Sequence, residues 1–373
     1  MAPSLIEVLH EVPPLWDALD SGSLKALLSS DMGLRSRAKQ HVHCIRTGNR
    51  GDAYDLIRST WTQHVQVLHL RGGTLHTAQL SKGDGPELQC FTLLDSQVTA
   101  GIIHALSGKW PLLQEICSFN CVFGHAAMSA LTAADWPLLR TLHLNHFDDA
   151  MPDLVNGRWP QLRDLSIGVD MYETRLTHLY DFPWRTLERL QLAFCKINLH
   201  RIDSLVQAYL PNLRELSLAE VPVYPSVFKE DQCLCFQVLA QGNWPSLGTL
   251  ELHGVGMTQE CIELLGTGNW LNLQRLVFLN VEISDKDIPT LVKACWPALR
   301  TLTMCGLSWF ESTAILDICM QKWPNLQSLT IGVANNKVSA AILEKSSKLW
   351  PALHVQIGNV QACLLGCHCQ YAS

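Results

Sequence analysis

Residues Gly242 to Leu252, GNWPSLGTLEL, decide how this chain folds. With Trp244 as origin, leucines stand three, six and eight positions on, at Leu247, Leu250 and Leu252. The same offsets give Leu139, Leu142 and Leu144 after Trp136, and Leu162, Leu165 and Ile167 after Trp159. They return after Trp184, Trp270, Trp296 and Trp323, and once after Leu210 in the tryptophan's place. Origins at 244, 270 and 296 are 26 residues apart. Self-similarity at this period predicts a solenoid, in which each unit buries its apolar side only against its neighbours.

The second half of each unit is as regular. Counting back eight, five and four from the origin gives Ile102, Ala105 and Leu106 before Trp110, and Ile202, Leu205 and Val206 before Leu210. Ile288, Leu291 and Val292 hold those places before Trp296, and Ile315, Ile318 and Cys319 before Trp323. Apolar residues at i, i+3 and i+4 form one face of a short amphipathic helix. Each unit is therefore predicted to be a short strand followed by a helix. The glycines at 108, 157, 242 and 268 are expected as left-handed C-caps. The proline after most tryptophans is expected to hold the chain extended into the next strand.

This pattern resembles the leucine-rich repeat, in the 26-residue cysteine-containing class found in F-box/leucine-rich-repeat proteins, with tryptophan where the cysteine usually stands. The resemblance covers roughly residues 51–361. It implies an α/β solenoid, a horseshoe with a parallel sheet on its concave face and short helices on its convex face. Residues 1–50 do not repeat. They are expected to form a helical N-terminal cap over the first open core, or a degenerate F-box, since PPLWDALDSGSLKALLSSDMGLRS resembles that motif's proline-leucine opening and leucine spacing. The F-box resemblance implies docking to the cullin-ligase adaptor while the repeats hold a substrate.

Bulk properties exclude several other classes. The net charge is −6 and charged residues make up 17% of the chain, so there is no basic footprint for nucleic acid. The start, MAPSLIEVLHEVPPLW, has neither the basic region nor the apolar core of a signal peptide. No apolar run is long enough to span a membrane. The 14 cysteines are then read as small buried hydrophobes in a reducing compartment, cytoplasmic or nuclear. Residues 362–373 are read as a tail. Its Cys363, Cys367, His368 and Cys369 are metal-ligand types without a second cluster, so no metal site is assigned. One unit, from Leu210 to Trp244, is long, and its extra residues, VPVYPSVFKEDQCLC, are placed in a loop between strand and helix.

Function in this architecture is expected on the concave face, where residues between the leucines point away from the core. Arg189, Glu215, Glu251, His253 and Arg275, with exposed apolar Val277 and Leu279 and with Thr303 and Cys305, form the expected partner footprint. No Walker loop, H-E-x-x-H or nucleophile elbow is present. His143 and His253 are read as having no acidic or nucleophilic partner at a matching strand position. The sequence therefore predicts a non-catalytic scaffold that binds a partner protein, without cofactor. The alternatives are a ubiquitin-ligase substrate receptor and a GTPase-activating repeat protein.

Overall fold

The computed structural model describes residues 44–46, 65–74, 87–145, 154, 156–168, 185–194, 199–220, 229–255, 257–281, 283, 287–307, 323–333 and 354–358. The chain divides into two units, Met1–Thr174 and Arg175–Ser373. The same repeat builds both. The Ile315 helix face, the Cys-rich tail and all of residues 1–50 but a three-residue strand lie outside the described residues.

In the first unit the strands are β1 (Cys44–Arg46), β2 (Val67–Thr74), β3 (Cys90–Val98), β4 (Glu115–Phe119), β5 (Val122–Phe123), β6 (Thr141–Asn145) and β7 (Asp164–Gly168). They run parallel in the order β1-β2-β3-β4-β6-β7, with the short β5 paired to β3. Helices α1 (Ala100–Lys109) and α2 (His125–Ala133) pack side by side. In the second unit, β8 (Arg189–Phe194) is followed by α3 (Leu199–Gln207), β9 (Glu215–Glu220) and α4 (Lys229–Ala240). Next come β10 (Thr249–His253), α5 (Gln259–Leu265), β11 (Arg275–Leu279) and α6 (Ile288–Leu291). The unit ends with β12 (Thr301–Leu307), β13 (Ser328–Val333) and β14 (His354–Gly358). The strands of this unit pair in sequence order, all parallel. Strand after parallel strand, with the helices between them, this is a leucine-rich-repeat solenoid.

The register is the one the period demands. Leu190, Leu216, Leu250, Leu276, Leu302 and Leu329 lie directly opposite one another on successive strands, each 0% exposed. A one-residue slip would turn every such leucine to the opposite face, so the burial pattern fixes the pairing. The helix faces also hold where they are described: Ile102, Leu106, Ile202, Leu205, Leu291 and Val292 are all buried.

The tryptophan-proline step differs from expectation. The Leu247 N–H donates to the Trp244 carbonyl at 3.1 Å, and the same bond recurs at Leu139, Leu162, Leu273, Leu299 and Leu326. Trp-x-x-Leu is thus a β-turn, with proline at its second position everywhere in this set but Trp270, where Leu271 stands; the fixed φ of proline already suits that position. The proline bends the chain into the strand. Asn120, Gly254 and Asn280, directly after their strands, and Asp95, within β3, have φ of 50–66°, the left-handed conformation that bends the chain away.

The glycines before the tryptophans are not left-handed caps. Among the described glycines only Gly254 has a positive φ, and Gly108 lies inside α1. What Gly157, Gly242 and Gly268 supply is room. A Cβ at Gly242 would lie 2.5 Å from the Trp244 ring, one at Gly157 2.5 Å from Trp159, and one at Gly268 2.9 Å from Trp270. The indole folds back over the glycine two residues earlier, which is why the sequence reads G-x-W.

Those indoles are the interior. Trp136, Trp159, Trp270, Trp296 and Trp323 are at most 1–2% exposed. The N–H groups of Trp136, Trp244, Trp270, Trp296 and Trp323 are buried with no hydrogen-bond acceptor among the described residues. Burying an indole removes about 150–250 Å² from water, worth about 4–6 kcal/mol at 25 cal/mol/Å². An unpaired buried donor costs about 1–3 kcal/mol, so burial wins. Cys117, Cys121, Cys233, Cys261 and Cys295 are free thiols, the first two and Cys261 buried. Cys261 and Cys233 bring their Sγ atoms 2.9 Å apart between α5 and α4, with the Thr258 hydroxyl beside both.

Two elements differ from the sequence reading. The strand β1 pairs with β2 from inside the stretch assigned to the N-terminal cap, so the sheet begins before residue 51. In the long unit, α4 starts at Lys229, so Lys229–Cys235 belongs to a 12-residue helix rather than to a loop.

Candidate functional site

The sheet face turned away from the leucine core carries rows set by the same register. On the second unit Arg189, Glu215, Thr249, Arg275, Thr301 and Ser328 form one row. Gln191, Ser217, Glu251, Val277, Thr303 and Thr330 form the next, and Ala193, Ala219, His253, Leu279, Cys305 and Gly332 the third. All nine residues of the expected footprint fall on these three rows.

The charged members meet. Arg189 Nε donates to Glu215 on the neighbouring strand. Glu251 lies 3.7 Å from Arg275 Nε and 3.5 Å from His253 Nε2. Burial alone would push the Glu251 carboxyl up, but the His253 contact and the charges of His253, Arg275 and Arg189 outweigh it and hold the group below its ordinary range. Arg189, Glu215 and Arg275 keep 40–51% of their side chains exposed, so they form a solvent-facing charged patch.

The apolar part of the footprint is corrected by the structure. Val277 and Leu279 are 1% exposed, Thr303 3% and Cys305 0%. Val277 stands in register between Glu251 and Thr303, and Leu279 between His253 and Cys305. The face offered outward is polar and charged.

His143 also differs from expectation. It has a nucleophilic residue at the matching position, because β4 pairs with β6 to set Cys117 opposite it. The Cys117 Sγ lies 3.7 Å from His143 Nδ1, and Asp164 Oδ1 lies 3.2 Å from His143 Nε2. The order Cys-His-Asp is that of a thiol nucleophile with base and orienting acid. Its electrostatics point the other way. Burial first, then the Glu115 carboxylate beside it, push the Cys117 thiol far above its ordinary range. A nucleophilic cysteine needs the thiolate, and Cys117 is 5% exposed. The arrangement is a packed polar cluster. The two ring nitrogens face different partners, and among the described residues no group of three or more ligand-type side chains could hold a metal ion.

A feature the sequence reading missed lies at the strand entrances. At four origins the residue two positions on donates through its side chain to a carbonyl one repeat earlier. Asn212 Nδ2 donates to Arg185 O at 2.8 Å, Asn272 Nδ2 to Pro245 O at 2.7 Å, and Asn325 Nδ2 to Pro297 O at 2.9 Å. Ser246 Oγ donates in the same place to Pro211 O. The signal was present as P-N-L and L-N-L before the strands. Just beyond this ladder lies a recess of about 560 Å³, lined by Arg214, Glu215, Gly248, Gln274, Arg275, Arg300, Gln327 and neighbours. Of these, only Glu215 and Arg275 were in the expected footprint.

No helix among the described residues is long and apolar enough to cross a membrane. No protein-family model matches the sequence, and no curated protein does. Among solved structures the chain is similar to an internalin from Listeria monocytogenes, at 13% identity and a TM-score of 0.44, over 90% of this chain and 93% of that one. A protein from Bacteroides fragilis gives 12% identity and a TM-score of 0.41, over 79% and 74%. A leucine-rich-repeat protein from Leptospira interrogans gives 14% and 0.36, over 85% and 90%. In period, strand register and core, the repeats of this chain are themselves leucine-rich repeats.

Proposed function

We propose that the chain is a non-catalytic protein-interaction scaffold that receives a partner protein on the concave face of its second unit. The observation that supports this is the charged cluster on the parallel sheet, with Arg189, Glu215 and Arg275 facing solvent and Glu251 and His253 half-buried beneath them. Polar, arginine-bearing surfaces of this kind form the rim and anchors of specific interfaces. The buried Cys117 and its raised pKa are what speak against chemistry at the other histidine-bearing cluster.

The test is affinity capture from the source cell with the wild-type chain and with the double variant Glu251→Lys, Arg275→Glu. Both positions are partly exposed, so the reversed pair is expected to fold and to lose the captured partner. Retention of the same partner by a folded variant would remove this face from the interaction. The ligase-receptor alternative rests on residues 1–50 and predicts that those residues capture the cullin-ligase adaptor. Loss of adaptor on their deletion, with the partner retained, would assign that role.

A further inference from the structure

We propose that the recess at Gly248 binds a phosphomonoester, carried on a phosphorylated side chain of the partner; this rests on the interaction reading above and names the chemistry of one anchor. Arg214, Gly248, Gln274, Arg300 and Gln327 occupy one position, the residue before the strand, on β9 to β13. Four have long side chains. Gly248 has none, and a Cβ built there would meet nothing nearer than 3.8 Å. The gap opens the recess of about 560 Å³, within the roughly 300–1,000 Å³ of ligand sites.

The lining is cationic. Arg214, Arg275 and Arg300 line the recess with one carboxylate, Glu215, which is paired with Arg189 outside it, while Arg275 lies 3.7 Å from Glu251, also outside it. Among the described residues neither Arg214 nor Arg300 has an ion pair or a side-chain hydrogen bond. The backbone donors at this level are occupied: Gly248 and Thr249 N–H donate to Arg214 O, and Gln274 and Arg275 N–H to Gly248 O. A ligand therefore meets guanidinium groups and the amides of Gln274 and Gln327. Three guanidinium groups against one carboxylate that is already paired suit a dianion with several acceptor oxygens. A phosphorylated side chain brings a charge of about −1.5 to −2 and three such oxygens. The recess is larger than a phosphate group alone, which leaves room for the stem that carries it.

The experiment uses the full chain and three probes: a degenerate phosphoserine peptide pool, its unphosphorylated twin, and inorganic phosphate, with binding followed by calorimetry. The expected result is that the phosphorylated pool binds, the twin does not, and inorganic phosphate competes. Arg300→Gln and Arg214→Gln should each weaken binding about tenfold, within the worth of one charge-assisted hydrogen bond. Gly248→Glu fills the recess with the residue type that Glu188 places at the same position on β8, and should abolish binding while the thermal unfolding curve is unchanged. Gly248→Ala is the folding control. Equal binding of both pools, or binding that survives Gly248→Glu, would overturn the proposal. Binding of inorganic phosphate without the peptide pool reassigns the recess to a free small phosphate and overturns the partner anchor, while the charge-reversal capture above continues to test the face itself.

Discussion

The indole of Trp270 lies against that of Trp296, ring centroids 6.4 Å apart and planes 17° from parallel. Trp296 in turn stacks on Trp323 at 6.1 Å and 13°. Successive repeats therefore hold each other through their tryptophans as well as through the strand ladder. Trp270→Ala is expected to destabilise the chain by about 3–5 kcal/mol, read by urea denaturation. Trp296→Phe keeps an aromatic ring and removes a buried N–H without an acceptor, so its cost is expected to be well below that of the alanine variant. Equal losses for the two would mean that the polar end of the indole matters more than its ring.

The close approach of Gly242 to the Trp244 ring gives a sharper test. Gly→Ala in an ordinary helical or extended position stabilises slightly through the unfolded chain. Here the added Cβ would lie 2.5 Å from the ring, whereas at Gly124 it meets nothing within 4 Å. Gly242→Ala is expected to be destabilising by at least about 1 kcal/mol from overpacking, and Gly124→Ala, at the open N-cap of α2, to cost clearly less, only the preference of an N-cap for glycine over alanine. Matching midpoints for the two in the same denaturant titration would contradict the G-x-W packing.

Glu251 sets one limb of the pH profile. Its carboxyl is held below the ordinary value of 4.5 in the folded chain. A depressed folded pKa contributes stability that is present above the unfolded value and lost as pH falls through the folded one. Below about pH 4.5 the wild-type chain should therefore lose stability more steeply than Glu251→Gln. Parallel profiles for the two would mean that the His253 and Arg275 contacts do not bias the carboxylate.

Thiol chemistry separates Cys117 from the surface. Cys295 is exposed, whereas Cys117 is buried with its thiol held far above its ordinary range. Peptide mapping after brief alkylation of the native chain should find Cys295 modified and Cys117 protected until the chain unfolds. Rapid native modification of Cys117 would reopen the question of a nucleophile beside His143.

Much of this architecture was legible because a solenoid repeats its own evidence. The offsets of three, six and eight from each tryptophan fixed the core, and the three outward rows follow from alternation alone. What was not legible depends on contacts between repeats. The glycine of G-x-W looks like a helix cap until the indole is seen lying over it. Val277 and Leu279 alternate as outward residues should, yet both are buried, and alternation along one strand carries no information about that. Cys117 and His143 are 26 residues apart and meet only through the register of β4 and β6. The strand β1 carries a signal that was passed over, since Ile45 aligns with Leu68 and Phe91 at a spacing of 23 residues.

Trp110, Trp136, Trp159, Trp244, Trp270, Trp296 and Trp323 are buried along the repeats, and collisional quenching of tryptophan emission by acrylamide reads how dry that interior is. The native chain is expected to give blue-shifted emission with weak quenching, and both should change together as urea unfolds it. Strong quenching of most of the emission while the chain is still folded would contradict that burial.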